Sequence, residues 1–179
     1  MSTGARYAVY FLPPEHHPLM QAGRAWLKPD RPHTADPRRY GFHATLKAPM
    51  RLAAGRPGEA FLAAAAAVAP HQPPVGMPPH QVGPRGGLQA LQPEEGLDAG
   101  HPLCRLAADA VLALDAWRAP PTPAEMARRR PEALSERQRA LLDRHGYPYV
   151  LDEWRFHMTL SDAVAPDMLE ALSREAHSH

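Results

Sequence analysis

Two stretches of this chain repeat each other around a histidine: Gly41-Phe42-His43-Ala44-Thr45-Leu46 and Arg155-Phe156-His157-Met158-Thr159-Leu160. Both read Phe-His-x-Thr-Leu. A His-x-Thr or His-x-Ser triplet alone says little, since eleven histidines make roughly half a chance match expected. The five-position pattern has a chance on the order of one in ten thousand per histidine, so two copies mark an internal repeat. Imidazole is the side chain whose ordinary pKa lies nearest neutrality, and two of them on facing strands form an acid and base pair. Threonine hydroxyls beside them donate to anionic oxygens. Read with the period of two of a β-strand, His43 shares a face with Thr45 and Lys47, and His157 with Arg155, Thr159 and Ser161. Two cationic side chains on that face favour a phosphate between the strands. The opposite face carries Phe42, Ala44 and Leu46 in one copy and Phe156, Met158 and Leu160 in the other, the set a core requires. No Cys or carboxylate nucleophile is in register.

The elements that must hold these faces follow from the pattern of apolar residues and breakers. Tyr7 to Leu12 reads as a strand stopped by Pro13-Pro14, which makes Tyr7 and Tyr10 candidates to line the cleft, although half-buried strand aromatics are ordinary. Leu19, Met20, Gly23, Trp26 and Leu27 recur at helical spacing. Lys28 to Arg39, with three prolines, reads as a surface loop, and Tyr40 to Met50 as a strand. Glu59 to Ala69 is an Ala-rich helix ended by Pro70. Val75 to Val82 and Gly87 to Leu91 are strands joined through Gly83-Pro84-Arg85-Gly86, with the prolines confining the first to an edge. His101 to Arg118 and Pro131 to His145 are helices, the second capped by Gly146, on either side of a Pro-rich break at residues 120–123. Leu151 to Leu160 is the second motif's strand, and Met168 to Ala176 a final helix. Strands mixed with helices in two similar halves predict an α+β fold.

Composition narrows the functions. The 179 residues carry a formal charge of +1, so no basic field argues for duplex nucleic acid. The single cysteine, Cys104, excludes an intramolecular disulfide framework and a Cys-rich metal centre, and lies at an apolar helical position. No signal-peptide core or membrane-spanning run is present, which suits the cytoplasm. Arg128-Arg129-Arg130 reads as a solvated run rather than a nucleic-acid grip. His16-His17 and His177-Ser178-His179 lack the spacing and acidic partner of a metal site. Gly83, Gly86 and Gly87 do not make a nucleotide-binding glycine loop.

The doubled histidine motif resembles the 2H phosphoesterase superfamily. More narrowly, Arg6-Tyr7-Ala8-Val9-Tyr10-Phe11, residues 40–49 around His43 and residues 153–160 around His157 look like the branch known as DUF1045, often encoded beside the carbon-phosphorus lyase pathway for phosphonates. The resemblance implies two pseudo-symmetric lobes with antiparallel sheets flanking a central cleft and helices outside. One lobe would hold about residues 28–100 with the first motif, the other about 1–27 plus 101–179 with the second. After the first motif come a helix and a strand pair, but after the second only a helix, so the second lobe is expected to be short. The implied activity is opening of a small cyclic phosphodiester without metal or other cofactor. His43 and His157 would be the acid and base, and Thr45 and Thr159 would hold the phosphate. The substrate class is a small cyclic phosphate or nucleotide, plausibly a ribose cyclic phosphate in phosphonate catabolism. Two alternatives stay open: a 2',3'-cyclic end of RNA, which stacking partners and a basic track would favour, and a nucleotide or sugar-phosphate binding module without turnover. No oligomeric state is implied.

Overall fold

The alternation around the two histidines becomes the centre of a sheet. A computed structural model describes residues 4–68 and 75–178. Its strands are β1 (Tyr7–Phe11), β2 (Ala44–Met50), β3 (His80–Arg85), β4 (Leu88–Pro93) and β5 (Met158–Thr159), in the order β1-β2-β5-β4-β3. β5 pairs antiparallel with both β2 and β4, and β4 with β3. Around them lie α1 (Pro18–Trp26), α2 (Ala35–Tyr40), α3 (Gly58–Ala66), α4 (Pro102–Ala113), α5 (Pro123–Ala127), α6 (Glu136–His145) and α7 (Pro166–His177). The fold is α+β, and the two motif strands are neighbours in one five-stranded sheet. Among the described residues no helix is long and apolar enough to cross a membrane.

Several boundaries move for identifiable reasons. The second half of the expected loop over 28–39 is α2. Its first N–H groups, on Ala35 and Asp36, donate to the carboxylate of Asp162 at 3.1 and 2.7 Å, and Pro37 sits in the first turn, where a missing N–H costs nothing. The hairpin turns two residues later than the breakers suggest. Gly86 and Gly87, with φ +57° and +86°, are the two-residue turn, and Pro84 stays inside β3, tolerated because β3 is an edge strand. The expected strand over 151–160 is shorter, because residues 151–153 form a 3₁₀ turn and only Met158–Thr159 enters the ladder. A short helix, α5, occupies the Pro-rich break, closed at its start by a capping box between Thr122 and Glu125. α6 likewise starts at a Ser135–Gln138 capping box rather than at Pro131, and ends on Gly146. The expected end of α3, at Ala69 and Pro70, lies outside the described residues.

The chain divides into two compact units. Unit 1 comprises Met1–Val9, Leu46–Val75 and Leu97–Arg155, and unit 2 comprises Tyr10–Thr45, Gly76–Gly96 and Phe156–His179. His43, Thr45, His157 and Thr159 fall in unit 2, while Leu46 and Arg155 at the motif ends fall in unit 1. In unit 1, Met50, Phe61 and Leu114 form one core cluster, with Tyr7 and Trp117 edge-on to Phe61, and Val111, Leu141 and Val150 form another. In unit 2, Trp26 is buried with its indole Nε1–H donating to Leu160 O at 2.8 Å, which ties α1 to the end of the second motif. Gly23 of α1 lets the Phe42 ring lie against the helix backbone, since a Cβ there would stand 2.4 Å from ring carbons.

Lys47 is the conspicuous buried charge of unit 1, only 4% exposed. Its ammonium donates to Val111 O at 3.2 Å, one of the last carbonyls of α4, and stands 3.7 Å from Asp115. Burial pulls its pKa from 10.5 down to about 8, against the opposing pull of Asp115. From about pH 8 to 10.5 the unfolded chain keeps a proton that the folded chain has released, so this group adds stability as pH rises through that window. The full shift corresponds to something on the order of 3 kcal/mol. Urea unfolding of wild type and Lys47→Met from about pH 7 to about pH 10.5 is expected to show the wild type gaining on the variant by about 1–3 kcal/mol. Parallel pH curves would refute it.

Candidate active site

The pairing of Ala44 with Met158 fixes the geometry of the motifs. Continued one residue each way, this antiparallel register sets His43 opposite Thr159 and Thr45 opposite His157. Ala44 and Met158 are fully buried, as are Phe42, Leu46, Phe156 and Leu160 to within a few per cent, while the two histidines and two threonines are half-buried on the other face. The four polar residues form a rhomb, with the histidines on one diagonal and the threonines on the other. A local two-fold passes through the Ala44–Met158 pair. Diagonal neighbours across an antiparallel pair lie about 7–8 Å apart at the backbone, a gap that admits one tetrahedral group between the imidazoles.

His43 is held at both ring nitrogens. Its Nδ1 lies 2.8 Å from Gly41 O, and because a carbonyl only accepts, Nδ1 carries the proton there. The neutral ring then presents an unprotonated Nε2, to which the Thr45 hydroxyl donates at 3.3 Å. Gly41 delivers that carbonyl from φ +77° and ψ 176°, a region essentially restricted to glycine, with nothing within 4 Å of a would-be Cβ. Backbone conformation, not space, demands glycine at this position. The Tyr10 ring lies over His43 with centroids 3.8 Å apart, tilted by 34°. Burial lowers the His43 pKa, offset in part by the Gly41 carbonyl, and burial raises that of the Tyr10 phenol, with Tyr40 adding to it. The base form of His43 is therefore favoured and Tyr10 stays neutral.

The remaining candidates make contacts of their own. Lys47 continues the alternation of β2, yet its ammonium is bound to Val111 O beside Asp115 within unit 1. The Arg155 guanidinium, also in unit 1, donates to Asp152 O and Trp154 O at 2.7 and 2.8 Å. Tyr7 packs on Phe61, with its hydroxyl against Gly58. Ser161 is fully buried, accepting from Gln89 N–H at 2.9 Å and donating to Asp162 O, so it fastens β4 to the second motif rather than lining a cleft. Alternation states which face a residue starts from; for long side chains it does not state where the charged tip ends. Two residues went unnoticed in the sequence. Gly41 was visible only as a glycine before a motif, and Asp162, two residues after the second motif's Leu160, caps the helix that leads into the first.

These features define an α+β protein with a duplicated His-x-Thr face on adjacent antiparallel strands. The chain belongs to the DUF1045 family, described as a protein of unknown function, whose model matches residues 45–179. It is similar to the ribose 1,5-bisphosphate phosphokinase PhnN of Janthinobacterium sp. (strain Marseille), 40% identical over 97% of this chain and 43% of that protein. It is also similar to the protein of the same name from Laribacter hongkongensis (strain HLHK9), 36% identical over 89% of this chain and 40% of that protein. The chain thus spans about two-fifths of the length of these curated relatives. No solved structure matches it.

Proposed function

We propose that this chain is a metal-independent phosphodiesterase of the 2H type that opens a small cyclic phosphate ester, a ribose cyclic phosphate in phosphonate catabolism. The observation that carries the reading is the rhomb itself, with His43 Nε2 left as a lone-pair donor by the Nδ1 bond to Gly41 O. A phosphate centred over it has an imidazole on each side and a hydroxyl at each remaining corner, the arrangement an in-line displacement needs. His43 Nε2 takes a proton from water as the water oxygen bonds to phosphorus. The opposite P–O ester bond breaks, and His157 gives its proton to the leaving ring oxygen. Thr45 and Thr159 donate to the non-bridging oxygens, and the product is a phosphomonoester with a freed hydroxyl.

The relatives' name supports a ribose phosphate as the substrate class, since opening a ribose cyclic phosphate yields a ribose phosphomonoester. Their name also specifies a kinase, and this chain matches only two-fifths of their length. The phosphate loop G-x-x-x-x-G-K-[ST], a common solution for nucleotide-dependent phosphoryl transfer, is not found in the 179 residues. We therefore assign the kinase activity of those longer proteins to the part that this chain does not match.

The test is hydrolysis of ribose and nucleoside cyclic phosphates in excess chelator, followed against pH. Turnover is expected to survive chelation. Because burial holds the His43 pKa below 6.5, the acid limb of kcat/KM is expected below that pH, the base staying unprotonated into mildly acidic solution. A folded protein that hydrolyses none of these esters, or only with added metal, would overturn the reading.

A further inference from the structure

Unit 1 carries a cluster of arginines that the proposed chemistry does not use. Arg6 immediately precedes β1, Arg51 immediately follows β2, and Arg118 and Arg129 flank α5. All four line one crevice, and Glu125 of α5 is the only carboxylate among the described residues that line it. That carboxylate is held from three sides. Arg6 Nη2 donates to Oε1 at 2.5 Å, Arg51 donates through Nη2 to Oε2 at 3.1 Å and through Nε to Oε1 at 3.4 Å, and Thr122 N–H donates to Oε2 at 2.8 Å in the capping box. The bond from Arg51, followed by the one from Thr122, draws the Glu125 pKa from 4.5 down to about 2, so it stays ionised through neutral and mildly acidic solution. Arg118 gives Nε to Asp115 at 3.2 Å and Nη2 to Arg144 O at 2.9 Å. Its Nη1 lies against Gly146, where a Cβ would stand 3.0 Å away. Arg129 lies over the Tyr147 ring, 4.6 Å from the centroid. With Arg118 set against Asp115, the other three guanidiniums are matched by one carboxylate. A structural ion network balances its charges, whereas a surplus of guanidinium in one crevice suits an anion from outside.

We propose that this crevice binds a phosphate-type dianion, free or as a phosphomonoester, and that the Glu125 carboxylate occupies it as a stand-in which the ligand displaces. The carboxylate presents the two-oxygen edge that a phosphate also presents to a guanidinium fork, and a phosphate adds a second charge and further acceptors for the surplus arginines. Displacement follows from space and from charge. The open volume of the crevice, about 40 Å³, holds roughly three waters. That is too little for a phosphate and its water beside the carboxylate, which would also repel it. Removing Glu125 from Thr122 N–H opens the capping box, so ligand binding and the cap of α5 exclude each other. None of these residues belongs to the histidine rhomb, and the site does not rest on the phosphodiesterase reading.

The experiment is calorimetry and thermal unfolding with inorganic phosphate and with ribose 5-phosphate, at ionic strength held constant with sodium chloride. Wild type is compared with Glu125→Gln, Arg51→Gln, Arg129→Gln and His157→Ala. Glutamine at position 125 can keep the capping box but drops the competing charge. Glu125→Gln is therefore expected to bind phosphate about tenfold more tightly than wild type, and to gain more in Tm from it. Arg51→Gln and Arg129→Gln are each expected to bind it about tenfold more weakly. Arg6→Gln, at a half-exposed side chain, serves in place of Arg51→Gln if that variant does not fold. The sign at Glu125 separates a ligand site from an ion network, in which Glu125→Gln would only lower the Tm. Phosphate binding that is absent, or unchanged by Glu125→Gln and by the arginine variants, would overturn the inference. So would binding lost in His157→Ala and kept in the arginine variants, since that belongs to the rhomb. Binding that follows the expected signs upholds the site, and the tighter of the two ligands identifies whether free or esterified phosphate is its occupant.

Discussion

Alanine in place of His43 or His157 is expected to lower kcat/KM for a ribose cyclic phosphate by about 10²–10⁴-fold, with circular dichroism unchanged. Both rings are half-buried rather than core residues, so removing either leaves the apolar face of the strands intact. The double variant should lose little more than the worse single one, because a base and an acid acting in one step contribute as a unit. The two roles can be separated by the leaving group. An ester that expels p-nitrophenolate needs no proton from the protein, so His157→Ala should recover most of its loss on such a substrate. His43→Ala should not, since water must still be activated. His43→Ala should also lose the acid limb of the pH profile. Near-normal turnover in either variant would sink the proposed chemistry, and recovery by His43→Ala instead of His157→Ala would exchange the two assignments.

Much of this face could be read from the sequence because a strand encodes its two sides in adjacent letters. Phe42, Ala44 and Leu46 against His43 and Thr45 needed only the period of two. What escaped depends on contacts between residues far apart in sequence. α2 has no side-chain cap from its own Thr34, and the carboxylate that caps it comes from Asp162, 126 and 127 residues away from the N–H groups it accepts. No local window contains that partner. The tips of Lys47 and Arg155, bonded to Val111 O and to Asp152 O and Trp154 O, are likewise set by contacts that the alternation of a strand does not encode. The hairpin turn also shifts: with Gly86 and Gly87 as the turn, residues 83–85 belong to β3 rather than to a loop.

Gly23→Ala is the substitution through which packing should be felt at the site. In an open helix interior this change stabilises, by about 0.5–1 kcal/mol, because glycine is the poorer helix former. Here the sign is expected to reverse. The new Cβ would stand 2.4 Å from Phe42 Cδ1 and Cγ and 2.8 Å from Cδ2, closer than real contacts allow, and the Phe42 ring is 4% exposed with little room to retreat. Overpacking of a buried ring costs about 1–3 kcal/mol, which exceeds the propensity gain. α1 cannot simply back away, because Trp26, three residues on, is tied to Leu160 O. The displacement must therefore pass into Phe42, whose neighbours Gly41 and His43 share the 2.8 Å bond that sets the base. Urea unfolding should show a net loss of about 1–3 kcal/mol, accompanied in the still-folded protein by a fall in kcat that the KM does not mirror. Phe42→Leu introduced with Gly23→Ala should recover part of both losses relative to the sum of the single changes. A Gly23→Ala protein as stable and as active as wild type would show that Phe42 is free to move, and that the first histidine does not depend on its packing.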